Sequence, residues 1–441
     1  MEFYSIWSDV QRASWPQLQS DLTCDTAIIG AGISGIATLY FLLTTTNLSV
    51  ALFERHLTAS GATGNSAGLP TIHIERSISE LIDEYGTDLI HRVYTDMELA
   101  KDDLSEMHKK AGIPENLVQL PPLRIGFNSL PSFLEWLELE LLYIQVGREP
   151  WSYWLAEELS VPEKFLEQIR FVSQEEILSA LNTKDTDYIA FALITEPRTR
   201  MNGTLFCNRV LQYLAKAFPS RCFIYENTEI SRIDLAEDEQ ILQHALGKVH
   251  TQDLILCTNA YKDFTIFDTR TEQPVTKLHE ALISREGYLA AFPSPNSEPS
   301  VVVFRNEDIG YPDAPYWYLS TAPLATGAQE YVSCLGGPEY TFTSLEPSDS
   351  YATTSLELMG QFCEKNFHRS IAFSHFWHGT MGYTQTGLRW VGEDPDHSHL
   401  WYNLGCNGIG ILPAIAGAKR IAKQMSGDVL EPSLYDPPAS E

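Results

Sequence analysis

Three glycines and one acid carry the first chemical signal in this chain. Gly30, Gly32 and Gly35 make G-x-G-x-x-G across Gly30-Ala31-Gly32-Ile33-Ser34-Gly35, and Glu54 follows roughly 20 residues on. Gly30 permits a tight turn, Gly32 lets a pyrophosphate come close to the backbone, and Gly35 lets a helix pack on a strand. A helix opening at this point presents free N–H groups and the positive end of its dipole to a phosphate. A carboxylate at Glu54 can accept hydrogen bonds from a ribose diol and would repel the 2′-phosphate of NADP. These residues predict a dinucleotide site and leave NAD and FAD undivided.

For those groups to meet, the chain around them must run strand, turn, helix, strand. Asp25 to Ile29 is a short apolar run suited to a buried parallel strand. The helix is expected over about Ile33 to Thr44 and the second strand over Ser49 to Phe53. A signal peptide is disfavoured by Asp21 and Asp25, with no basic cluster before the run. The glycines and the trailing TTTN stop it short of a membrane span.

A second stretch of small residues follows Arg55, from Ser60 through Gly61, Ala62, Thr63, Asn65, Ser66, Ala67 and Gly68 to Leu69. Its N–H groups and hydroxyls suit wrapping a phosphate or a ring, although a plain surface loop has the same composition. Leu254 to Cys257 reads as another apolar strand ending in Thr258-Asn259-Ala260, and in a doubly wound sheet ligands sit at such carboxyl ends. Near the other end of the chain, Leu400 to Leu404 reads as a strand. A turn with Gly405, Asn407, Gly408, Ile409 and Gly410 follows, then a helix from Ile411 to about Met425. This repeats the opening logic of a helix N-terminus aimed at something electron-rich.

Between these ends, Ser77 to Lys110 is helical and Leu117 to Asn128 a strand pair. Ser132 to Ser179 reads as further helices, and Thr204 to Phe218 as an amphipathic helix. The aromatic, alternating stretches Pro274 to Phe292, Val301 to Phe304, Tyr316 to Leu319 and Tyr331 to Leu335 suggest a largely antiparallel second sheet. Arg285, Tyr288, Arg305, Tyr316 and Tyr318 fall there, where sheet-face packing is the simpler account of any one of them. Residues 1–20 read as an arm laid on the domain that follows.

Composition bounds what such a protein can bind. The chain of 441 residues carries a net charge of −28 with no basic block, which argues against a nucleic-acid surface and an anionic membrane. The seven cysteines are odd in number with no C-x-x-C, consistent with reduced thiols in a cytoplasmic protein. The twelve histidines show no metal spacing, and no metal is expected.

Together these pieces resemble the FAD-dependent oxidoreductases of the D-amino-acid oxidase superfamily. That group includes glycine and sarcosine oxidases, D-amino-acid dehydrogenases and gamma-glutamylputrescine-type oxidoreductases. The resemblance rests on Gly30–Gly35 with Glu54, on GATGNSAG, on DLILCTNA, and on WHGTMGYTQTGLRWVG followed by LGCNGIGILPAIAGAKRIA. It implies an α/β fold, with a Rossmann-like FAD-binding domain and a second, largely antiparallel α+β substrate domain. It also implies FAD rather than NAD. Gly30 to Gly35 would hold the pyrophosphate and Glu54 the ribose. Arg55 and Ser60 to Leu69 would pass beside the phosphates and ring, Ile230 would face the adenine, and Thr258 to Ala260 would lie beside the nucleotide. Gly405 to Ile411 would point a helix N-terminus at the flavin N1/O2 edge, where reduction leaves negative charge.

Relatives that tether flavin do so through a cysteine two residues before a Tyr-Thr pair, or through a histidine in the small-residue loop. Met381 and Asn65 stand at those places here, so the FAD is expected to be noncovalent. The implied reaction is oxidation of a C–N bond in a small amine or amino acid, by hydride transfer to flavin N5. His378 is a candidate to tune amine protonation or hold substrate. Arg305 and Arg389 are candidates to clamp a carboxylate. The resemblance leaves open an oligomer or an electron-accepting partner. The small-residue loop is also similar to that of bifunctional tRNA 5-methylaminomethyl-2-thiouridine enzymes, against which the charge of −28 counts. A flavin-binding scaffold without turnover is a third reading, since the family's T-P-D-x-x-P segment is degraded over Thr384 to Arg389. The expected division is an arm at 1–20, an FAD-binding domain at 21–80, 196–265 and 374–430, a substrate domain at 81–195 and 266–373, and a tail at 431–441.

Overall fold

The computed structural model describes residues 1–8, 10, 12–114, 119–120, 122–194, 198–199, 201–294, 299–305, 316–323, 331–341 and 349–439. The expected boundary at 196, and positions 117, 118 and 121 of the expected strand pair, lie outside these residues. What is described of that pair is Gln119–Leu120 and Leu123–Phe127.

The apolar runs at 22–29, 50–53, 222–225, 247–256 and 400–404 line up as the parallel heart of a ten-stranded sheet. Strands Val50–Phe53 and Leu400–Leu404 are buried at every position, as a sheet covered on both faces requires. Period-two alternation sorts the side chains. Ile28, Val50, Leu52, Ile224 and Ile255 face a helical layer made of Ile33–Thr45, Thr87–Lys110, Gly203–Ala217 and Ile411–Met425. Ala27, Ala51, Phe53, Leu254 and Leu256 face the meander Ile230–Leu235 and Gln240–His244.

A second sheet of nine strands runs in the order His375–Thr384, Leu282–Pro293, Tyr331–Thr341, Tyr316–Pro323, Ser300–Arg305, Leu123–Phe127, Ala190–Ile194, Ser152–Ala156 and Ile169–Val172. It is largely antiparallel, with parallel pairing only of Ser300–Arg305 to Leu123–Phe127 and of Ser152–Ala156 to Ile169–Val172. The fold is therefore the mixed α/β architecture that the sequence implies.

Several local expectations need correcting. The stretch 132–179 is not simply helical: helix Leu130–Gln145 gives way to strand Ser152–Ala156, where Tyr153, Leu155 and Ala156 turn inward. Strand His375–Thr384, expected in the nucleotide domain, pairs with Leu282–Pro293 along its whole length, from Thr384↔Leu282 to His375↔Ala291. Helix Thr87–Lys110, expected in the substrate domain, puts Ile90, Val93, Met97 and Leu104 into the same core as Leu39 and Ile415. The arm also reaches further than expected. Ile6 and Trp7 pack on Leu289, Ala291 and Trp377 of the second sheet, while Leu18 packs under the first. None of the seven cysteines forms a disulfide among the described residues, and no helix among them is long and apolar enough to cross a membrane.

Candidate active site

The first turn is built by close approach. Strand Leu22–Ile29 ends, Gly30 N–H donates to Phe53 O (2.8 Å), and the helix starts at Ile33. A Cβ on Gly35 would strike the Gly30 carbonyl oxygen and stand 3.3 Å from Ile28 Cγ2, so only glycine lets helix and strand meet here. No side chain caps the helix at Gly32. Instead Thr63, from the small-residue loop, accepts the Ile33 N–H at Oγ1 (2.9 Å). Glu54 accepts from Ala31 N–H at Oε2 and from His56 N–H at Oε1, both at 3.0 Å. Burial raises its pKa, against the pull of these two donors. Arg55 is already engaged, 2.7 Å from Asp263 and over the Tyr261 ring.

The second turn is held by side chains. Asn259 and Asn407 both take the left-handed backbone conformation that asparagine tolerates. Asn259 Oδ1 accepts from Cys406 N–H (3.0 Å), and Asn407 Oδ1 accepts from Thr384 N–H (2.8 Å). Asn407 N–H in turn donates to Gly382 O (2.9 Å). The helix beyond, Ile411–Met425, likewise has no side-chain cap at Gly410. Arg389 braces the two turns: it donates to Ser34 Oγ (2.5 Å) and to Asn403 Oδ1 (2.9 Å) and O (3.0 Å).

Both turns open on one cleft of about 1260 Å³. Its wall includes Gly30, Gly32, Ile33, Ser34, Glu54, Arg55, the loop residues Ser60 to Thr63 and Asn65 to Leu69, Ile230, Thr258, Asn259, and Asn407 to Ile411. Ala31, Gly35, Ala260 and Gly405 stand behind that wall and shape it through the backbone. A large cleft with a glycine at the N-cap of the helix at each turn, a wall of small residues and a half-buried acceptor at Glu54 fits a dinucleotide such as FAD.

The three expected catalytic side chains fare differently. Arg305 lines the cleft, its guanidinium 5.0 Å from the Trp136 ring centre. Arg389 also reaches the cleft, but it is buried and committed to Ser34 and Asn403, so it is a brace rather than a substrate clamp. His378 is outside the cleft wall altogether. In strand His375–Thr384, Gly379, Met381 and Tyr383 line the cleft, and period two sends His378 and Thr380 to the other face. There His378 Nδ1 meets Glu286 Oε2 at 2.7 Å, and Thr380 Oγ1 donates to Glu286 Oε1.

What sequence reasoning missed is a charged ring near Gly408. Glu75, Arg285, Glu339, Tyr316 and Tyr383 all line the cleft. A Cβ on Gly408 would stand 2.8 Å from both Glu75 Oε1 and the Tyr383 hydroxyl, so both groups reach the second turn. Tyr383 Oη donates to Glu339 Oε2 (3.2 Å), and the Arg285 guanidinium lies 4.4 Å over the Tyr383 ring. Arg285 Nε is buried and has no hydrogen-bond partner among the described residues. Burial first, then the Glu339 carboxylate, push Glu75 up to about 7, against the opposing pull of Arg285 and Arg305. Burial, then Arg148 and Arg305, push His73 down to about 4. A signal was available for Glu75: it lies just past the small-residue loop, on the stretch of chain that leaves it.

Comparison with known proteins agrees with this geometry. The family described as DAO, FAD dependent oxidoreductase, matches over residues 25–424. Glycine oxidase from Geobacillus kaustophilus superposes with a TM-score of 0.67 at 14% identity, covering 94% of this chain and 97% of that one. L-proline dehydrogenase from P. horikoshii gives 0.65 at 13% identity, with the same coverage of both chains. Over 120 residues the chain is 30% identical to thiamine thiazole synthase of Thermococcus kodakarensis, which is 26% of this chain and 47% of that protein. The chain thus spans about half the length of that curated relative.

Proposed function

Because this chain belongs to the DAO family of FAD dependent oxidoreductases, we propose that it oxidises the C–N bond of a small amine or amino acid. The observation that carries this reading is the ring of charge at the second turn, where Arg285 and Arg305 face Glu75 and Glu339 across one stretch of cleft. A zwitterion is complementary to such a set. Its carboxylate finds guanidinium donors, and its nitrogen finds carboxylates and tyrosine hydroxyls.

When bound, noncovalent FAD supplies the two-electron acceptor for the hydride leaving the substrate carbon. The chain's own residues do the rest. The turn at Gly30–Gly35, Glu54 and the loop Ser60–Leu69 hold the nucleotide. The uncapped helix end at Gly410 offers positive dipole to the charge that reduction leaves. Arg285, whose buried Nε has no partner among the described residues, binds a substrate carboxylate, and Arg305 adds a second positive charge. Tyr316 and Tyr383 bound the space and exclude water.

Anaerobic mixing of the flavin-loaded enzyme with D-amino acids, N-methyl amino acids and polyamine derivatives tests this reading. At least one class bleaches the flavin band. Bleaching by none of them, with the flavin band present, overturns it.

A further inference from the structure

Glu75 is a carboxylate with a particular position. Its side chain lines the cleft and is exposed to it, with protein groups gathered around it. Its Oε1 lies against the Gly408 turn beside the Tyr383 hydroxyl. The titratable and charged groups that face it are Glu339, Arg285, Arg305, Tyr316 and Tyr383 from the second sheet, and Tyr143 from helix Leu130–Gln145. No ion pair is formed between Glu75 and either arginine among the described residues.

This surrounding has a direction built into it. With its carboxylate on Arg285, a zwitterionic substrate brings its ammonium to the Glu75 side of the cleft. The place of Glu75 within the cleft wall, then the neighbouring Glu339 carboxylate, make it hold a proton more readily than an ordinary acid, against the pull of Arg285 and Arg305. The proton therefore has a place to go. The amine must lose it, because the nitrogen lone pair is what C–N oxidation draws on.

We propose that Glu75 is the general base that takes the proton from the ammonium form of the substrate; this rests on the amine reading given above. In that step an N–H bond breaks and an O–H bond forms at the Glu75 carboxylate. The electron pair stays on nitrogen, so nothing is oxidised or reduced. A base with a pKa of about 7 is about half ionised at neutral pH, where it is both available and strong enough to act. Glu339 is a positioning residue: it acts through Glu75 by raising the affinity of Glu75 for the proton.

Two measurements on flavin-loaded protein test this. The first is pH-difference infrared spectroscopy without substrate, on wild type, Glu75→Gln and Glu339→Gln. A protonated-carboxyl band disappears with a midpoint near pH 7 in wild type, is missing in Glu75→Gln, and moves to lower pH in Glu339→Gln. The second is the pH profile of anaerobic flavin bleaching by whichever amine in the panel works best. Glu75→Gln, with its flavin band intact, slows bleaching at neutral pH on the order of 10²-fold. It recovers at high pH, where the amine is neutral unaided, and Glu339→Gln shifts the rising limb to lower pH. Bleaching by Glu75→Gln with the wild-type rate and pH profile overturns the proposal, as does a carboxyl band that survives in that variant. If no amine bleaches any of the proteins while the band titrates as described, it is the amine reading that has failed.

Discussion

The two glycine turns look alike in sequence and work differently in space. At Gly30–Gly35 two of the three glycines are required by backbone against backbone: Gly35 meets the carbonyl of Gly30 and Gly30 that of Cys257, with no room for a methyl group. At Gly405–Gly410 the constraint is a positive φ, +79° at Gly408, and the neighbours are the ends of Glu75 and Tyr383 side chains. The first turn is thus a packing joint that shapes a nucleotide site. The second is a platform around which titratable groups gather. A motif of the same residue type can serve rigidity in one place and chemistry in another, and the identity of the neighbouring atoms tells which.

This contrast can be broken by substitution. Gly35→Ala should do the greatest damage. It forces backbone apart at a cost of about 1–3 kcal/mol or more, and the purified protein should carry little FAD by its visible spectrum. Gly408→Ala should keep FAD near the wild-type ratio. It places strain of about 1–3 kcal/mol in the turn and crowds Glu75 and Tyr383, so the flavin bleaching rate falls about tenfold or more. Equal loss of FAD in the two variants contradicts the division of labour.

A smaller effect is expected on stability against pH. The folded-state pKa of Glu75 is raised from the ordinary 4.5 to about 7. A raised acid adds stability that is fully present below the unfolded value and is lost as pH rises through the folded one. Wild type should therefore lose stability relative to Glu75→Gln between pH 4.5 and 7, with a constant difference above that window. Thermal melts of both proteins across this range check the sign. The smallest effect is expected for His378→Ala, whose side chain lies on the sheet face away from the cleft. Its bleaching rate should stay within about twofold of wild type, a change of under 0.5 kcal/mol.

Much of the first turn was legible because its signals are local. A buried strand, three glycines and an acid about one βαβ unit away are all set by neighbours in sequence. The second sheet was legible as strands through its alternation, but not its membership. That His375–Thr384 pairs with Leu282–Pro293 depends on contacts some ninety residues apart. Strand Ser152–Ala156 was hidden because WSYWLA is aromatic and apolar enough for either period. His378 could have been set aside from parity alone, since it falls out of phase with Met381, which the family resemblance puts beside the flavin. Glu75 could not have been assigned a role in this way. Its raised proton affinity comes from desolvation first and then from Glu339, against Arg285 and Arg305; these three side chains reach it from three different strands, and no spacing in the chain encodes that meeting.

The central claim is that the two turns serve one cofactor, and the most direct test is a density map of the purified, flavin-loaded protein. The account predicts a single FAD whose pyrophosphate lies against Gly32 and whose ring lies against the turn at Gly408, with Glu75 facing the substrate side. A nucleotide bound at Gly32 with its ring directed away from Gly408, or bound at neither turn, would contradict it.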